Sequence, residues 1–373
     1  MTMIELGKIT EIRTGRLNAN QAIEGGKYPF FTCSVNPLRI DDYAYDCECV
    51  LVAGNGDLNV KYYNGKFNVY QRVYIVESID KSKYDVKFLY YFLQTHIDTL
   101  RRNSIGGVIK YIRLGDLTNA EVPNFTIETQ RKIVSVIEKS EKALVLRKQQ
   151  TEALSALKQS VFLDMFGDPT SNPKRYVKKQ LKEIGEITTG NTPPRKDKDN
   201  YGDYVEWIKT NNINENSIYL SQAIEYLSEK GASIGRVVSE NSILVTCIAG
   251  SRSSIGRAAI ANRRVAFNQQ INAISPSEII NTSFLYTQIK ILKPYIQSFS
   301  TNSMKGMISK TNFEKIEVIV PTLEVQAEFH HKFKQINSIE KKMKNSLICL
   351  EEMYDSLLQK AFNGELLKEE IKA

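Results

Sequence analysis

The sequence predicts an α+β protein in which one structural plan occurs twice. The chain has 373 residues, which is long for one ordinary domain. Several short motifs recur in the same order in its two halves. Two stretches also carry apolar residues at the heptad spacing of a coiled-coil helix. We therefore expect two pseudo-twofold-related domains, each a bent, mostly antiparallel sheet with helices, separated by an antiparallel coiled coil of two long helices.

The clearest repeat lies where each long helix is expected to begin. The segment "EVPNFTIETQRKI" from Glu121 aligns with "EVIVPTLEVQAEF" from Glu317, 196 residues later. Further on, "LKQSVF" from Leu157 aligns with "LLQKAF" from Leu357, 200 residues later. The difference between these spacings is about one turn of α-helix, an insertion that keeps a helical apolar face in place. This predicts that the repeated segments are helical.

The globular parts repeat more weakly. "IELGKITEIRTGR" from Ile4 resembles "KQLKEIGEITTGN" from Lys179, and "VLVAGNG" from Val50 resembles "ILVTCIAGS" from Ile243. Both parts contain short β-rich runs separated by Gly, Asn and Asp turns, together with helical stretches. These patterns predict one α+β domain in each half. The expected divisions are 1–126 (first domain), 127–166 (first long helix), 167–322 (second domain) and 323–373 (second long helix and C-terminal tail).

Apolar residues on the two long helices predict the coiled-coil contact. In the second helix they follow a heptad pattern that is interrupted at Glu340, whereas the first helix is patchier. Gly167 and Gly364 lie near the ends, where glycine often terminates a helix. The alternative is that each helix packs on its own domain, but both stretches are longer than that requires. The expected packing residues are Ile133, Ile137, Leu144, Leu154, Leu157, Phe162, Phe329, Phe333, Ile336, Met343, Leu347, Leu350, Tyr354, Leu357 and Phe362.

The charge distribution indicates a polyanionic partner. The chain carries 50 Lys and Arg against 42 Asp and Glu, a net charge of +8. Residues 167–322 hold 20 of the basic and 14 of the acidic residues, whereas residues 1–126 hold 15 and 14. Most of the excess therefore belongs to the second domain. A basic domain of this kind favours binding of nucleic acid.

The sequence carries no recognisable catalytic or metal-binding signature. "AGNGDLN" from Ala53 lacks the third glycine of a dinucleotide site, and "AGSRSSIGRAA" from Ala249 lacks the lysine of a phosphate loop. Cys47 and Cys49 have no second pair that would complete a zinc site. We expect no catalytic residue, no metal and no cofactor on this chain. Because no secretion signal or membrane-spanning stretch is found, the expected location is the cytoplasm.

Basic and amide side chains in Gly-, Ser- and Asn-rich stretches are the candidate DNA contacts. Arginine and lysine bind phosphate and guanine, whereas Asn and Gln suit adenine. A solvated loop explains any one of these residues, but together on a basic domain they favour DNA. The polar stretch "TTGNTPPRKDKDNYG" from Thr188 is expected to be a mobile loop. The candidates are Asn55, Lys61, Lys66, Arg72, Lys110, Lys209, Asn211, Asn212, Arg252, Arg257, Arg263, Arg264 and Lys305.

Several motifs resemble the specificity subunit of type I restriction–modification systems. They are "FLDMFGDP" from Phe162, "LKEIGEITTGNTPP" from Leu181, "WIKT" from Trp207, "VPTLEVQAEF" from Val320 and "LLQKAFNGEL" from Leu357. The resemblance extends over the whole chain, and its motifs are specific in combination. It implies a subunit without catalytic activity, in which each target-recognition domain reads one half of a split DNA sequence and the coiled coil sets the spacer.

The resemblance also implies partners. The helices would hold two modification subunits, which use S-adenosylmethionine to methylate adenine in double-stranded DNA, and restriction or motor subunits would join for cleavage. The target base would be extruded into a modification subunit. An alternative interpretation is a coiled-coil scaffold that joins two protein partners without binding DNA. Steep salt dependence of duplex binding distinguishes the two interpretations.

Overall fold

The structure of the protein is a computed structural model, and it describes residues 2–301 and 306–366. The chain forms two compact units, a first unit of Met1–Lys148 with Asn345–Ala373 and a second unit of Gln149–Lys344. Each unit combines one sheet-containing domain with segments of two long helices. The candidate residue Lys305 and residues 367–373 of the expected C-terminal tail lie outside the described residues.

The domain of the first unit is organised around a six-stranded sheet. The domain contains eight described strands: β1 (Met3–Glu5), β2 (Thr10–Thr14), β3 (Tyr28–Phe31), β4 (Leu38–Ile40), β5 (Tyr45–Ala53), β6 (Val60–Val69), β7 (Val73–Ser78) and β8 (Glu121–Pro123). The sheet order is β2-β7-β5-β6-β3-β4, and its neighbours are antiparallel except for the parallel pair β3 and β6. β1 pairs separately with β8. The apolar run of β5 is buried, as expected for a central strand.

Helices cover this sheet and lead out of the domain. They are α1 (Leu6–Ile9), α2 (Val86–Asn103), α3 (Leu114–Thr118) and the long helix α4 (Ile127–Phe166). Asp85 caps α2 by accepting a hydrogen bond from Phe88 N at 3.0 Å. Phe88, Leu89 and Phe92 recur at helical spacing and bury one face of α2 in the core shared with β5.

The domain of the second unit has a similar architecture with more strands. Its helices are α5 (Leu181–Ile184), α6 (Glu229–Ile234), α7 (Thr282–Ile291), α8 (Lys293–Ser298) and α9 (Lys310–Glu314), followed by the long helix α10 (Leu323–Phe362). Its strands are β9 (Lys178–Gln180), β10 (Gly185–Thr189), β11 (Tyr201–Ile208), β12 (Tyr226–Leu227), β13 (Val237–Val238), β14 (Ile243–Thr246), β15 (Ile248–Ala249), β16 (Ala258–Ile260), β17 (Val265–Phe267), β18 (Ile271–Pro276), β19 (Gly306–Met307) and β20 (Glu317–Ile319). Four-stranded sheets have the orders β10-β18-β14-β16 and β12-β11-β17-β13, and β15 pairs with β19 and β9 with β20. The pair β11 and β17 is parallel, as β3 and β6 are in the first unit.

Both domains contain the same succession of elements. β1, α1 and β2 recur as β9, α5 and β10, each 175 residues later, and α3 and β8 recur as α9 and β20, 196 residues later. Gly15 and Gly190 follow β2 and β10. A Cβ atom at either position would lie 2.1 Å from Val69 O or 2.2 Å from Asn268 O, so glycine is required for the close approach of the two chain segments. The predicted internal repeat and the predicted α+β class are therefore confirmed.

Each long helix is fastened to its domain by a buried glutamine near its start. In α10, the Gln326 amide donates to the carbonyls of Ile279 and Pro321 at 3.2 and 2.9 Å. Its oxygen accepts from Asn281 N at 2.8 Å, and Asn281 is the residue that caps α7. One side chain therefore joins the start of a domain helix to the start of the long helix.

The first unit contains the same bridge. In α4, the Gln130 amide donates to the carbonyls of Lys83 and Phe125, both at 2.9 Å. Its oxygen accepts from Asp85 N at 2.9 Å, and Asp85 is the cap of α2. The two glutamines are 196 residues apart, the same spacing as the caps that they contact. The bridge is therefore part of the repeated plan.

Within each unit, segments of α4 and α10 pack side by side in antiparallel directions. In the second unit, Lys158 pairs with Glu340 and the Phe162 ring lies 5.5 Å from the Phe329 ring, so numbers rise along one helix as they fall along the other. In the first unit, Lys148 Nζ lies 3.1 Å from Glu351 Oε1, whereas Phe362 packs in the core that contains the N-terminal part of α4. The predicted antiparallel helix pairing is present in both units.

Phe162 and Phe362 occupy matching places at the ends of the long helices. The Phe162 ring lies 5.2 Å from that of Phe284 in the second unit. The Phe362 ring lies 5.2 Å from that of Phe88 in the first unit. Directly after these helix ends, Gly167 and Gly364 have φ values of 77° and 74°, which glycine adopts without strain.

The remaining predicted packing residues are buried or half-buried, with one exception. Leu157 is 42 % exposed, contrary to the prediction from the apolar pattern. Its neighbour Lys158 points inward instead and forms an ion pair with Glu340, and both charged residues are buried. Glu340 also accepts from Lys344, with 2.8 Å between Nζ and Oε1. The interruption of the heptad pattern at Glu340 is therefore the site of an inward-facing charge pair.

We predict that Gln326→Ala lowers the free energy of unfolding of the second unit by about 3 kcal/mol, because three backbone groups, one of them buried, lose their hydrogen-bond partner. Urea unfolding of the full chain, followed by the fluorescence of Trp207, measures this, since the single tryptophan lies in the second unit. Gln335→Ala is the control: Gln335 is exposed on the same helix, and its loss should change stability by less than about 0.5 kcal/mol. Equal effects of the two substitutions would contradict the bridging role.

Candidate nucleic-acid interface

Three of the five candidates in the first domain come together at one end of β5. Gly56 N donates to the carbonyl of Lys110 at 3.1 Å, and Gly54 N donates to the carbonyl of Arg72 at 2.7 Å. These bonds place the loop containing Asn55 between the two basic residues. Arg72 and Lys110 are exposed and Asn55 is half-buried. The fold thus gathers an amide and two cations that are far apart in sequence.

The two other candidates of the first domain lie on β6 and differ in availability. Lys61 is half-buried and donates to Asn59 Oδ1, and burial lowers the pKa of its ammonium group. Lys66 is exposed, and its Nζ lies 4.6 Å from the centre of the Tyr43 ring, in a cation–π contact. Lys66 is therefore the more available of the two for an external anion.

Two candidates in the second domain have structural roles, contrary to the sequence-based expectation. Asn212 is buried, accepts from Lys209 N at 3.0 Å and donates to Gln222 O at 3.0 Å. Arg263 forms a two-pronged ion pair with Glu206, with Nε to Oε1 at 2.5 Å and Nη2 to Oε2 at 2.6 Å. This guanidinium is the main cause that holds the pKa of Glu206 below its usual value. The sequence did not reveal these roles because Glu206 lies 57 residues from Arg263.

The other described candidates of the second domain form two groups: residues in ion pairs with a carboxylate, and exposed residues. Lys209 pairs with Glu225, and Arg257 Nε lies 3.3 Å from Glu215 Oε2. Asn211, Arg252 and Arg264 are exposed. The Arg264 guanidinium lies 5.7 Å from the centre of the Tyr204 ring. The exposed residues are free to meet a ligand, whereas the paired ones already contact a carboxylate.

The stretch from Thr188 to Gly202 is anchored at several points, which differs from the expected mobile loop. Asn191 N donates to Phe267 O at 3.1 Å, and Asn191 Oδ1 accepts from Arg236 N at 2.8 Å. Near the other end, Tyr201 OH donates to Pro193 O at 2.7 Å. Polar side chains that look solvated in sequence thus bond the loop to its own domain.

Two of the histidines contact side chains of their own unit. His96 stacks on Phe92 with ring centres 5.4 Å apart, and burial lowers the pKa of its imidazole. His330 Nδ1 lies 3.0 Å from Ser283 Oγ, and burial also lowers its pKa.

Among residues 2–301 and 306–366, no group of three or more His, Cys, Asp or Glu is placed to hold a metal ion. No helix in the same part of the chain is long and apolar enough to cross a membrane.

The two domains share one plan, each is joined to segments of two long helices, and each carries exposed basic or amide side chains. The chain belongs to the type I restriction modification DNA specificity domain family, whose pattern matches residues 1–156 and again residues 173–348. Each match contains one domain and parts of the long helices. The family resemblance seen in the sequence motifs is therefore confirmed.

Specificity subunits are among the similar sequences. The type I restriction enzyme EcoDI specificity subunit of Escherichia coli is 27% identical over 398 residues, which cover 97% of this chain and 88% of the relative. The HindI specificity subunit of Haemophilus influenzae is 31% identical over 201 residues, or 52% of this chain and 42% of the relative. The EcoDI likeness extends over nearly the whole chain, including both domains.

Solved structures share the fold. The type I restriction–modification S subunit from M. genitalium matches with a TM-score of 0.61 and 18% identity, covering 97% of this chain and 96% of that one. A chain from work on complex assembly and conformational transition of the type I system matches with a TM-score of 0.65 and 16% identity, over 98% of both chains. At such low identity the likeness demonstrates the common fold.

The neighbouring residues Arg263 and Arg264 are predicted to respond differently to substitution. Arg263→Ala should lower the free energy of unfolding of the second unit by about 2 kcal/mol, because a charge-assisted bidentate contact is lost. Arg264→Ala should change it by less than about 0.5 kcal/mol, because the side chain is exposed. Urea unfolding at neutral pH measures both values.

The pH dependence tests the same ion pair. Arg263 lowers the pKa of Glu206 in the folded protein, so the ionised Glu206 stabilises the fold. This contribution is complete above the unfolded-state pKa of about 4.3. It is lost as the pH falls through the lower pKa of the folded state. The stability difference between wild type and Arg263→Ala should therefore shrink in acid. A difference that stayed constant from pH 7 down to strongly acidic pH would show that the carboxylate is not responsible.

Proposed function

We propose that this chain is the non-catalytic DNA-recognition subunit of a type I restriction–modification complex, in which each domain reads one half of a bipartite target. The recognition domains are residues 1–126 and 167–322. The observation that carries the proposal is that the family pattern matches twice, with one recognition domain in each match. Exposed cations on both domains, such as Lys66 and Arg264, support contact with DNA.

The paired helices, in segments 127–166 and 323–373, set the distance between half-sites in this proposal. α4 and α10 each contain 40 residues. A helix of that length extends about 60 Å, which exceeds one turn of duplex of roughly 34 Å. Helices of this length therefore suit a spacer that separates two half-sites.

The same helices dock two modification subunits in this proposal. Val145 and Leu146 on α4 and Ile348 and Met353 on α10 are exposed apolar residues, the kind of surface that a protein partner covers. The modification subunits carry S-adenosylmethionine and methylate adenine, this chain binds no cofactor, and restriction or motor subunits join for cleavage. The complex acts on double-stranded DNA in the cytoplasm.

We predict that replacing residues 1–126 by the corresponding domain of a family member with a different target changes one half of the methylated sequence and leaves the other half and the spacer unaltered. Each domain has its own core and its own candidate contacts, so exchange of one should not affect the other. The chimera is co-expressed with an adenine methyltransferase subunit, and sequencing of methylated genomic DNA gives the recognised sequence.

An unchanged methylated sequence would refute the assignment of the first domain. The wild-type complex supplies a second measurement: its affinity for duplex DNA should fall steeply as salt rises, because cations contact phosphates. Affinity independent of salt, with both partner proteins still bound, would instead favour a scaffold that does not touch DNA.

We also predict that one added helical turn in both long helices lengthens the spacer and leaves both half-sites unchanged. The insertions are placed near Lys148–Thr151 in α4 and near Lys344–Asn345 in α10, where the chain passes from one compact unit to the other. About one turn keeps the apolar face in phase in each helix. Methylated-base mapping of the variant measures the spacer.

A second variant carries the turn near Lys148–Thr151 in α4 alone. Because about one turn keeps the apolar face of α4 in phase, this variant should also change the spacer and leave both half-sites unchanged. Altered half-sites with the original spacer in the doubly extended variant would contradict a spacer role for the helices.

A further inference from the structure

The anchored loop of the second domain presents an arginine that the sequence motifs did not single out. Arg195 follows Pro193 and Pro194 in the stretch from Thr188 to Gly202, and its side chain is 53% exposed. Pro193 O accepts from Tyr201 OH at 2.7 Å, and Pro194 O accepts from Asn200 Nδ2 at 3.2 Å. The backbone before Arg195 is thus fixed to the start of β11.

Two aromatic rings hold the guanidinium group. Its Cζ lies 4.7 Å from the centre of the Tyr201 ring and 4.8 Å from that of the Trp207 ring. The two rings are 6.1 Å apart and nearly perpendicular, so the guanidinium meets two faces of one corner. Trp207 is itself buried, and its Nε1 donates to Asn191 O at 3.3 Å. Cation–π contacts of this kind favour a single orientation of a flexible cation.

The carboxylate of Glu225 also contacts the Arg195 guanidinium. Glu225 Oε2 lies 2.7 Å from Arg195 Nη1, and this oxygen is closed off from solvent. Glu225 Oε1 accepts from Lys209, whose Nζ lies 5.0 Å from the centre of the Trp207 ring. These two cations hold the pKa of Glu225 below its usual value, Lys209 having the larger effect. Two positive groups and one negative group therefore share one corner, which keeps a net positive charge.

This arrangement distinguishes Arg195 from the other exposed cations of the domain. An exposed arginine ordinarily loses side-chain freedom when it binds, which weakens the complex. Here the orientation is set before binding by Tyr201, Trp207 and Glu225. Arginine carries five N–H donors, and the single Nη1 contact to Glu225 leaves donors for an external acceptor. The corner is thus a preformed anion site.

We infer that Arg195 binds a backbone phosphate of the DNA half-site read by the second domain, and that Glu225 is its positioning residue. The inference rests on the proposed function and adds to it a particular contact. The net positive charge of the corner suits a phosphate, and the Glu225 oxygen facing Arg195 is covered and does not reach a base. A phosphate contact supplies affinity and orientation without choosing the sequence.

The test measures binding of the complex of full chain and modification subunits to a labelled duplex of about 30 base pairs, roughly three helical turns, that contains the methylated sequence mapped for the wild type. Arg195→Gln should weaken binding roughly tenfold at fixed salt and reduce the slope of log affinity against log salt by about one. Arg195→Lys should restore the slope because the charge returns, yet recover only part of the affinity, because an ammonium group lacks the planar donor fork. The methylated sequence should stay the same in both variants.

Lys332→Gln is the matched control. Lys332 lies in the same unit, is 44% exposed and pairs with Glu328 at 2.8 Å, and no described aromatic ring forms a cation–π contact with it. Its substitution should leave affinity and slope unchanged. Thermal unfolding distinguishes DNA binding from a purely structural role of Arg195. If the role were structural, Arg195→Gln would lower the midpoint of thermal unfolding and leave the salt slope of DNA binding unchanged.

Three results would overturn the inference: an unaltered slope in Arg195→Gln, an equal loss in Lys332→Gln, or relaxed methylation at one base pair, which would mean base reading. Failure of the proposed function is distinguishable from these, since the wild-type complex would then show no steep salt dependence. A normal wild-type slope with an unaffected Arg195→Gln variant rejects the phosphate contact alone.

Discussion

The architecture of both units depends on one buried amide at the start of each long helix. Gln130 and Gln326 each bond three backbone groups: the N–H of the residue that caps a domain helix, a carbonyl two residues before that cap, and a carbonyl in the connection before the long helix. A glutamine side chain offers both donors and an acceptor, so it satisfies all three groups without introducing a charge. Because both glutamine side chains are buried, these hydrogen bonds hold the start of each long helix against its own domain.

The long helices combine apolar contacts with charged ones, and one of the charged pairs is buried. Phe162 packs in the second unit and Phe362 in the first, and each adds a ring to a domain core. In the second unit, Lys158 and Glu340 form a buried ion pair, although burial opposes the charged form of both. Such pairs contribute little net stability, because desolvation offsets the attraction between the charges. Their value is in register: any slip of the helices would leave a buried charge without a partner.

The polar surface of the second domain shows why charge alone does not identify a binding residue. Arg263 and Asn212 have the residue types expected for DNA contact, yet each is used to connect distant parts of the domain. Arg264, which follows Arg263 in sequence, is exposed to solvent. Arg195 is exposed as well, although its guanidinium is held in place by Glu225. Availability depends on partners such as Glu206 and Glu225, which tertiary folding brings close and local sequence does not reveal.

The sequence by itself determined the repeat, the α+β class, the two long helices and the family, because apolar periodicity, turn residues and repeated motifs are local signals. Tertiary structure decided which members of those patterns serve which purpose. The heptad pattern predicted that Leu157 is buried, but in the structure Leu157 is exposed and the neighbouring Lys158 is buried, where it pairs with Glu340. The loop from Thr188 looked mobile, but bonds to Asn191 and Pro193 fixed it. The physical reason is common to both: burial and hydrogen bonding depend on residues that meet only in the folded chain.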